Sequence, residues 1–290
     1  MTDHLPDIQE SHPNIRIPIQ QVGVENVEVP FKIESKYGGF HQLVANVSMR
    51  TSLDKDIKGI SMSRLLLTLK PYLDLPLKSK LIKQILEDLT QNVRSASSFM
   101  KFEFRMPIKR QSIISKNIFP IYYKCRFEGQ YYREHFHGTG DSSLFKFFQG
   151  VIIQYASYCP CSAELCKDLE EHDLEGFPHN QRSFTDILVE ITEPNYVWLE
   201  DIIDIVEAKI KTLPYPIIKR VDEQEIARIA AENPLFVEDA IRLISQALDE
   251  RDDIRDWIVK CSHEESIHTS EAIAINWKGL ADGFNGRQYL

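Results

Sequence analysis

The sequence predicts an α+β fold in which the element order β-β-α-α-β-β occurs twice, and three observations carry that reading. Leu43, Ala45, Val47 and Met49 alternate with Val44, Asn46, Ser48 and Arg50 at the two-residue period of a strand. Leu81, Ile82, Ile85, Leu86 and Leu89 recur at helical spacing through residues 78–94. The second half then presents strands and helices in the same order without residue-level identity to the first, so element order repeats and sequence does not.

Taken from the N-terminus, residues 1–22 carry Pro6, Pro13 and Pro18 among polar residues and read as an irregular arm. Val27, Val29 and Phe31 suggest a strand before the alternating run at 43–50. Ser61-Met-Ser-Arg64 introduces the apolar run Leu65-Leu-Leu-Thr-Leu69, the first helix, and residues 78–94 form the second. Met100, Phe102, Phe104, Met106 and Ile108 alternate with polar residues, and residues 121–127 supply another β-rich run. In the second half, residues 145–155 and 183–191 read as strands, 198–211 and 222–250 as helices, and 254–263 and 271–277 as strands again. The polar, glycine-containing stretch 130–143 separates the halves, giving an arm at 1–22, a first module at 23–135 and a second at 136–290.

Of the 290 residues 43% are hydrophobic and 27% charged, which supplies enough apolar material for real cores. A formal net charge of -9 argues against broad binding to nucleic acid or an anionic membrane, so an anionic small molecule would need a local basic pocket. No run approaches the ~18 apolar residues of a membrane span. The segment Met1-Thr-Asp-His-Leu-Pro-Asp7 lacks the basic-then-apolar character of a leader, and the expected location is cytoplasmic. Five cysteines, at 125, 159, 161, 166 and 261, are an odd number in a chain of this size and do not form a secreted disulfide framework.

Thiols, imidazoles and carboxylates cluster in the second half. Cys159-Pro-Cys-Ser162 follows the strand led by Val151, and in that reading both thiols share one face at a strand end. Each has an ordinary reading too, as a small buried hydrophobe. His179 lies in a loop leading into the next strand, and Asn180, Gln181 and Arg182 beside it add donors that orient ligands or hold an anion, or else simply make a turn. Glu223 and Glu238 sit at helix starts, where the macrodipole favours acids whatever their role. Ser262-His-Glu-Glu-Ser-Ile-His268 gathers two histidines and two glutamates at a strand end; Glu265 and His268 would pass protons if they converge, and a solvated loop is the alternative. In the first half, Lys58 and Arg64 flank a helix N-terminus suited to an anion.

These blocks together carry a family resemblance. Leu5-Pro-Asp-Ile-Gln9, Ile17-Pro-Ile-Gln-Gln-Val-Gly23, Met62-Ser-Arg64, Cys159-Pro-Cys-Ser162 and His179-Asn-Gln-Arg182 are joined by Leu199-Glu-Asp201, Asn233-Pro-Leu-Phe-Val-Glu-Asp239 and Glu265-Ser-Ile-His268. In that order the chain resembles the bacterial type IB GTP cyclohydrolases, metal-dependent enzymes that open the guanine ring of GTP at the start of folate and pterin synthesis. The resemblance implies two tandem tunnelling-fold modules, each an antiparallel sheet with two helices on one face. It also implies a homo-oligomer, expected to be a tetramer, with active sites at subunit interfaces.

Carried over position by position, Cys159, His179 and Glu223 are expected to ligate a divalent transition metal, zinc, manganese or iron. Cys161 is expected to be the catalytic thiol, with Glu265 and His268 as acid/base or metal-proximal groups. Glu238 is expected to anchor guanine and Lys58, Arg64 and Arg182 to meet the triphosphate. Two features depart from the family: the segment between Ser162 and His179 is longer, with Cys166 and His172 inside it as rival ligands, and Ser61 stands where the family commonly has histidine. The alternatives are a related pterin or deazapurine enzyme of the nitrile-reductase kind, or a binding protein with a structural metal.

Overall fold

The computed structural model describes residues 8–9, 11–133, 143–172, 175–192, 196–286 and 289. Eight strands form one sheet in chain order, β1 to β8, with β1–β2, β2–β3, β6–β7 and β7–β8 paired antiparallel. The chain divides into two compact units, residues 1–105 with 126–148, and residues 106–125 with 149–290. Residues 134–142, where the expected boundary between modules falls, lie outside the described residues.

In the first unit β1 (Ile19–Glu34) turns into β2 (Phe40–Leu53) through Gly38 and Gly39, both at positive φ, where a Cβ would strain the backbone. β1 begins inside the stretch expected to be irregular, pairing Ile19 with Leu53 and Val22 with Thr51. Gly23 is required there, because a Cβ on it would stand 1.9 Å from the Met49 carbonyl oxygen. Helices α1 (Met62–Leu69) and α2 (Ser79–Asn92) follow, then β3 (Ser97–Gln111) and β4 (Ile118–Tyr132), whose residues 106–111 and 118–125 belong to the second unit. Ile82, Ile85, Leu86 and Leu89 of α2 are buried, as are Ala45, Val47, Met49, Phe102 and Phe104 of β2 and β3. This is the β-β-α-α-β-β order the alternation predicts.

The second unit holds β5 from Gln149 onward (the strand spans Leu144–Tyr158), β6 (Asn180–Ile191), β7 (Ile254–Glu264) and β8 (Glu271–Trp277). Its helices are α3 (Pro160–Glu171), α4 (Leu199–Ile210), α5 (Arg220–Glu232) and α6 (Val237–Asp249). Two expectations are corrected. The single helix expected over 222–250 is two, because Pro234 removes a backbone donor and restricts the residue before it; the break is pinned by Leu235 N–H donating to the Tyr158 carbonyl at 2.9 Å.

The strand expected to carry Cys159 and Cys161 ends at Tyr158, and a helix starts in its place. Pro160 sits in the first turn, where its missing N–H costs nothing. Helix α3 escapes the sequence pattern because Cys166 is its one buried residue, packed near Gly176.

Candidate active site

Cys159 is the N-cap of α3, its Sγ accepting from the Ser162 N–H at 3.5 Å, and Cys161 is exposed in the first turn. The start of β6 lies alongside: Cys159 N–H donates to the His179 carbonyl at 3.2 Å, and His179 N–H donates to Ser162 Oγ at 3.3 Å. The segment between them therefore closes back on itself, so its extra length leaves the two ends adjacent. Cys166 is the buried residue of α3 and His172 is exposed at the helix end.

Glu265, just past the end of β7, reaches the same place. Its Oε2 is 3.8 Å from His179 Nδ1, and the Gln181 amide bridges them, donating from Nε2 to each at 2.9 Å. Gln181 Oε1 accepts from Ser157 Oγ at 3.0 Å. Ser157 also meets Ser183 Oγ at 2.8 Å and His263 Nδ1 at 3.1 Å, and His263 Nε2 meets the Tyr155 hydroxyl at 3.0 Å.

His263 is only 3% exposed, and burial pushes its imidazole down to about 4, against the pull of the Glu265 and Glu238 carboxylates. Burial likewise pushes the Cys261 thiol up to about 11 and raises the Tyr155 hydroxyl. Glu238, in the first turn of α6, belongs to this neighbourhood through that same pull on His263.

Cys159, His179 and Glu265 thus meet at the ends of β5, β6 and β7, with Cys161 two residues beyond Cys159 in the first turn of α3. Other expected residues stand elsewhere. Arg182 is exposed between buried Gln181 and Ser183, so it takes the opposite face of β6, across from Glu264. His268 is exposed in the bend after β7. Glu223 is exposed in the first turn of α5. Lys58 and Arg64 belong to the first unit, where Arg64, Ser61, Gly59, Gln9, Asn92 and Arg94 help line a groove of about 450 Å³.

Among the described residues no three His, Cys, Asp or Glu side chains gather as a metal set. Cys159 and His179 nevertheless fit a divalent transition metal in kind and in place, as a thiol and an imidazole on adjoining backbone. The sequence reading counted His263 in the polar cluster at 262–268 without giving it a role, and it missed Tyr155 and Ser157. The signal was present as period-two spacing: Val259, Cys261 and His263 on β7, and Ile153, Tyr155 and Ser157 on β5, are the buried positions of their strands.

The fold has solved relatives. A uricase from Bacillus fastidious superposes with a TM-score of 0.55 at 9% identity, covering 89% of this chain and 92% of that one. The uricase from Arthrobacter globiformis superposes at 0.54 and 6% identity, covering 92% and 95%. These are tunnelling-fold proteins, and the chain shares that fold.

A family model described as type I GTP cyclohydrolase folE2 matches residues 5–274. Proteins named GTP cyclohydrolase FolE2 from Cereibacter sphaeroides and Geobacter metallireducens are 31% and 32% identical, over 95% and 93% of this chain and 76% and 95% of theirs. One from Pseudothermotoga lettingae is 30% identical over 96% of this chain and its own full length. The chain belongs to the type I GTP cyclohydrolase folE2 family.

Proposed function

We propose that the protein is a GTP cyclohydrolase that hydrolytically opens the imidazole ring of the guanine of GTP, releasing formate and forming 7,8-dihydroneopterin triphosphate for folate biosynthesis. The observation that carries this reading is the family match over residues 5–274. The proximity of Cys159, His179 and Glu265 supports it.

Cys159, His179 and Glu223 would hold a divalent transition metal, zinc, manganese or iron. When bound, such a metal supplies a water activated near neutral pH for attack at guanine C8. The remaining chemistry belongs to the chain. Glu238 accepts two parallel hydrogen bonds from the guanine ring N–H and exocyclic amine, the geometry in which a carboxylate meets a guanidinium. Cys161 is exposed at the helix start and free to deliver a proton to nitrogen as the bonds to C8 break, with His268 as its partner in proton transfer. Glu265 accepts from Gln181 and stays beside His179. Lys58, Arg64 and Arg182 provide cations for the triphosphate.

We place these sites at the subunit interfaces of a homotetramer. We place the enzyme in the cytoplasm, where five cysteines outside any disulfide are at home; among the described residues no helix is long and apolar enough to cross a membrane.

Protein supplied with Mn(II) or Zn(II) and GTP is expected to release formate and yield a product that becomes a fluorescent neopterin on oxidation. Metal-loaded oligomer that releases no formate overturns the reading. Turnover of a nitrile substrate with a nicotinamide cofactor instead would assign the chain to the reductase chemistry of related folds.

A further inference from the structure

The groove beside α1 in the first unit is walled by segments that hydrogen bonds fasten together. Gly59 N–H donates to the Gln9 carbonyl at 3.1 Å and Gln9 Nε2 donates to the Ile60 carbonyl at 3.2 Å, which ties the arm to the chain entering α1. On the other side the Thr68 hydroxyl donates to the Arg64 carbonyl at 2.9 Å and the Asn92 amide donates to Thr68 Oγ1 at 3.0 Å, which holds α1 against the end of α2. The groove encloses about 450 Å³; Arg64 and Arg94 line it with Ser61, whose hydroxyl makes no capping bond, and among the described residues no Asp or Glu does. Arg94 also lines an adjoining cavity of about 580 Å³, where Asp54 and Glu87 accompany Arg133, so the unbalanced positive charge lies on the groove side.

The backbone of Arg94 is that of a glycine. It follows α2 at φ 54°, its N–H donating to the Gln91 carbonyl at 3.2 Å while the Ser95 N–H donates to the Thr90 carbonyl at 3.0 Å. This way of closing a helix puts the residue in the left-handed region, which glycine enters freely and a residue with a Cβ enters at a cost. Nothing within the chain offsets that cost, because among the described residues the Arg94 and Arg64 guanidiniums have no hydrogen bond or ion pair. Strain held without an internal return points to a group that binds something.

We propose that Arg94 is a phosphate-binding residue, which with Arg64 clamps the triphosphate of the substrate in this groove. The proposal rests on the reading of the chain as a GTP cyclohydrolase and adds a residue that lies outside every sequence block carrying the family resemblance. A guanidinium suits the role because its planar fork meets two phosphate oxygens at once and keeps its charge at any working pH.

The test uses full-length protein and inorganic triphosphate, titrated by calorimetry without added transition metal, which the probe would chelate. Arg94→Gly is expected to weaken binding by about 10-fold or more, the worth of a hydrogen bond to a charged group. The same variant is expected to melt about 1–3 °C higher as the strain is relieved. Arg94→Lys keeps the charge without the fork and is expected to bind between the two. Arg133→Ala removes a positive charge from the carboxylate-lined cavity and is expected to bind as the parent does. In formate release from GTP, Arg94→Gly is expected to raise KM with little change in kcat, since the triphosphate stays bound throughout the reaction.

Parent-like triphosphate affinity in Arg94→Gly overturns the proposal, as does equal weakening in Arg133→Ala, which would trace the effect to overall charge. Weakened binding with a lowered melting temperature in both Arg94→Gly and Arg94→Lys also overturns it, because the arginine would then be holding the groove together. A weakened probe with an unchanged KM for GTP overturns the assignment to the substrate and leaves another polyphosphate as the occupant. Protein that binds triphosphate through Arg94 yet releases no formate when loaded with metal would sink the functional reading and leave the phosphate site standing.

Discussion

Acidification from pH 7 to pH 4 should destabilise the protein through one identifiable group, His263. Its ring is buried between Tyr155 and Ser157, and its folded state titrates at about 4 against an ordinary 6.5. A histidine with a depressed folded value contributes stability that is fully present above pH 6.5 and lost as pH falls toward 4, because the unfolded chain takes up the proton first. At about 1.4 kcal/mol for each pH unit between the two values, the loss is on the order of 3 kcal/mol, a ceiling reached only if the ring stays dry.

The Glu265 and Glu238 carboxylates pull the other way and are already part of that balance. Urea unfolding from pH 7 to pH 4 measures the effect, with His263→Asn as the control that keeps every other titrating group. The unsubstituted protein should lose stability more steeply than the variant over this window. Equal slopes would show that burial of His263 is not what opposes its protonation.

Other outcomes are equally specific. Gln181→Leu removes the bridge between Ser157, His179 and Glu265; it should lower unfolding stability by about 1–3 kcal/mol, the cost of stranding buried polar partners. A variant as stable as its parent would mean that water replaces the amide. Cys161→Ala should cut formate release by about 10²–10⁴-fold while metal stays bound, whereas His179→Ala should release metal; the opposite pattern reverses the two roles.

Asp222 accepts from the Ile114 and Ser115 amides, each at 2.8 Å, and from Lys219 N–H and the Ser115 hydroxyl, which hold its carboxyl far below the usual range despite its burial. Its contribution is present above the ordinary aspartate value and lost as pH falls below it. Asp222→Asn should therefore lower the melting temperature at pH 7 and flatten the acid limb below pH ~4; an acid limb as steep as the parent's would point to other carboxylates.

How much of this was legible in the sequence depends on how local the governing contact is. The alternation of Met100, Phe102, Phe104, Met106 and Ile108 was readable because one face of β3 is buried along its whole length. Helix α3 was not, since with only Cys166 buried it has almost no apolar stripe, and its N-terminal signals, Pro160 and the capping Cys159, are not among the strong ones. The break at Pro234 was written in the sequence and outweighed by the apolar periodicity on either side of it. The pairing of Cys159 with His179, proposed to hold a metal, needed the family resemblance, because nothing local says that residues 159 and 179 meet.

The buried polar cluster needed something the sequence holds only in pieces, the register of β6 on β7 and the order of β5 beside β6. Once these are known, the three strands show a common gradient on the buried face. Val151 and Ile153 give way to Tyr155 and Ser157 on β5; Val189 and Ile187 give way to Thr185, Ser183 and Gln181 on β6; Val259 gives way to Cys261 and His263 on β7. Each progression then ends on Cys159, His179 or Glu265.

Polar groups buried side by side are costly unless each satisfies another, and here hydrogen bonds link five of them, Tyr155, His263, Ser157, Ser183 and Gln181. Apolar residues at those positions would pack as well and avoid that risk, so stability alone does not account for the gradient. It is accounted for if the end of the sheet must present an imidazole and a carboxylate in one fixed arrangement, which dispersion contacts, having no direction, cannot impose and hydrogen bonds can.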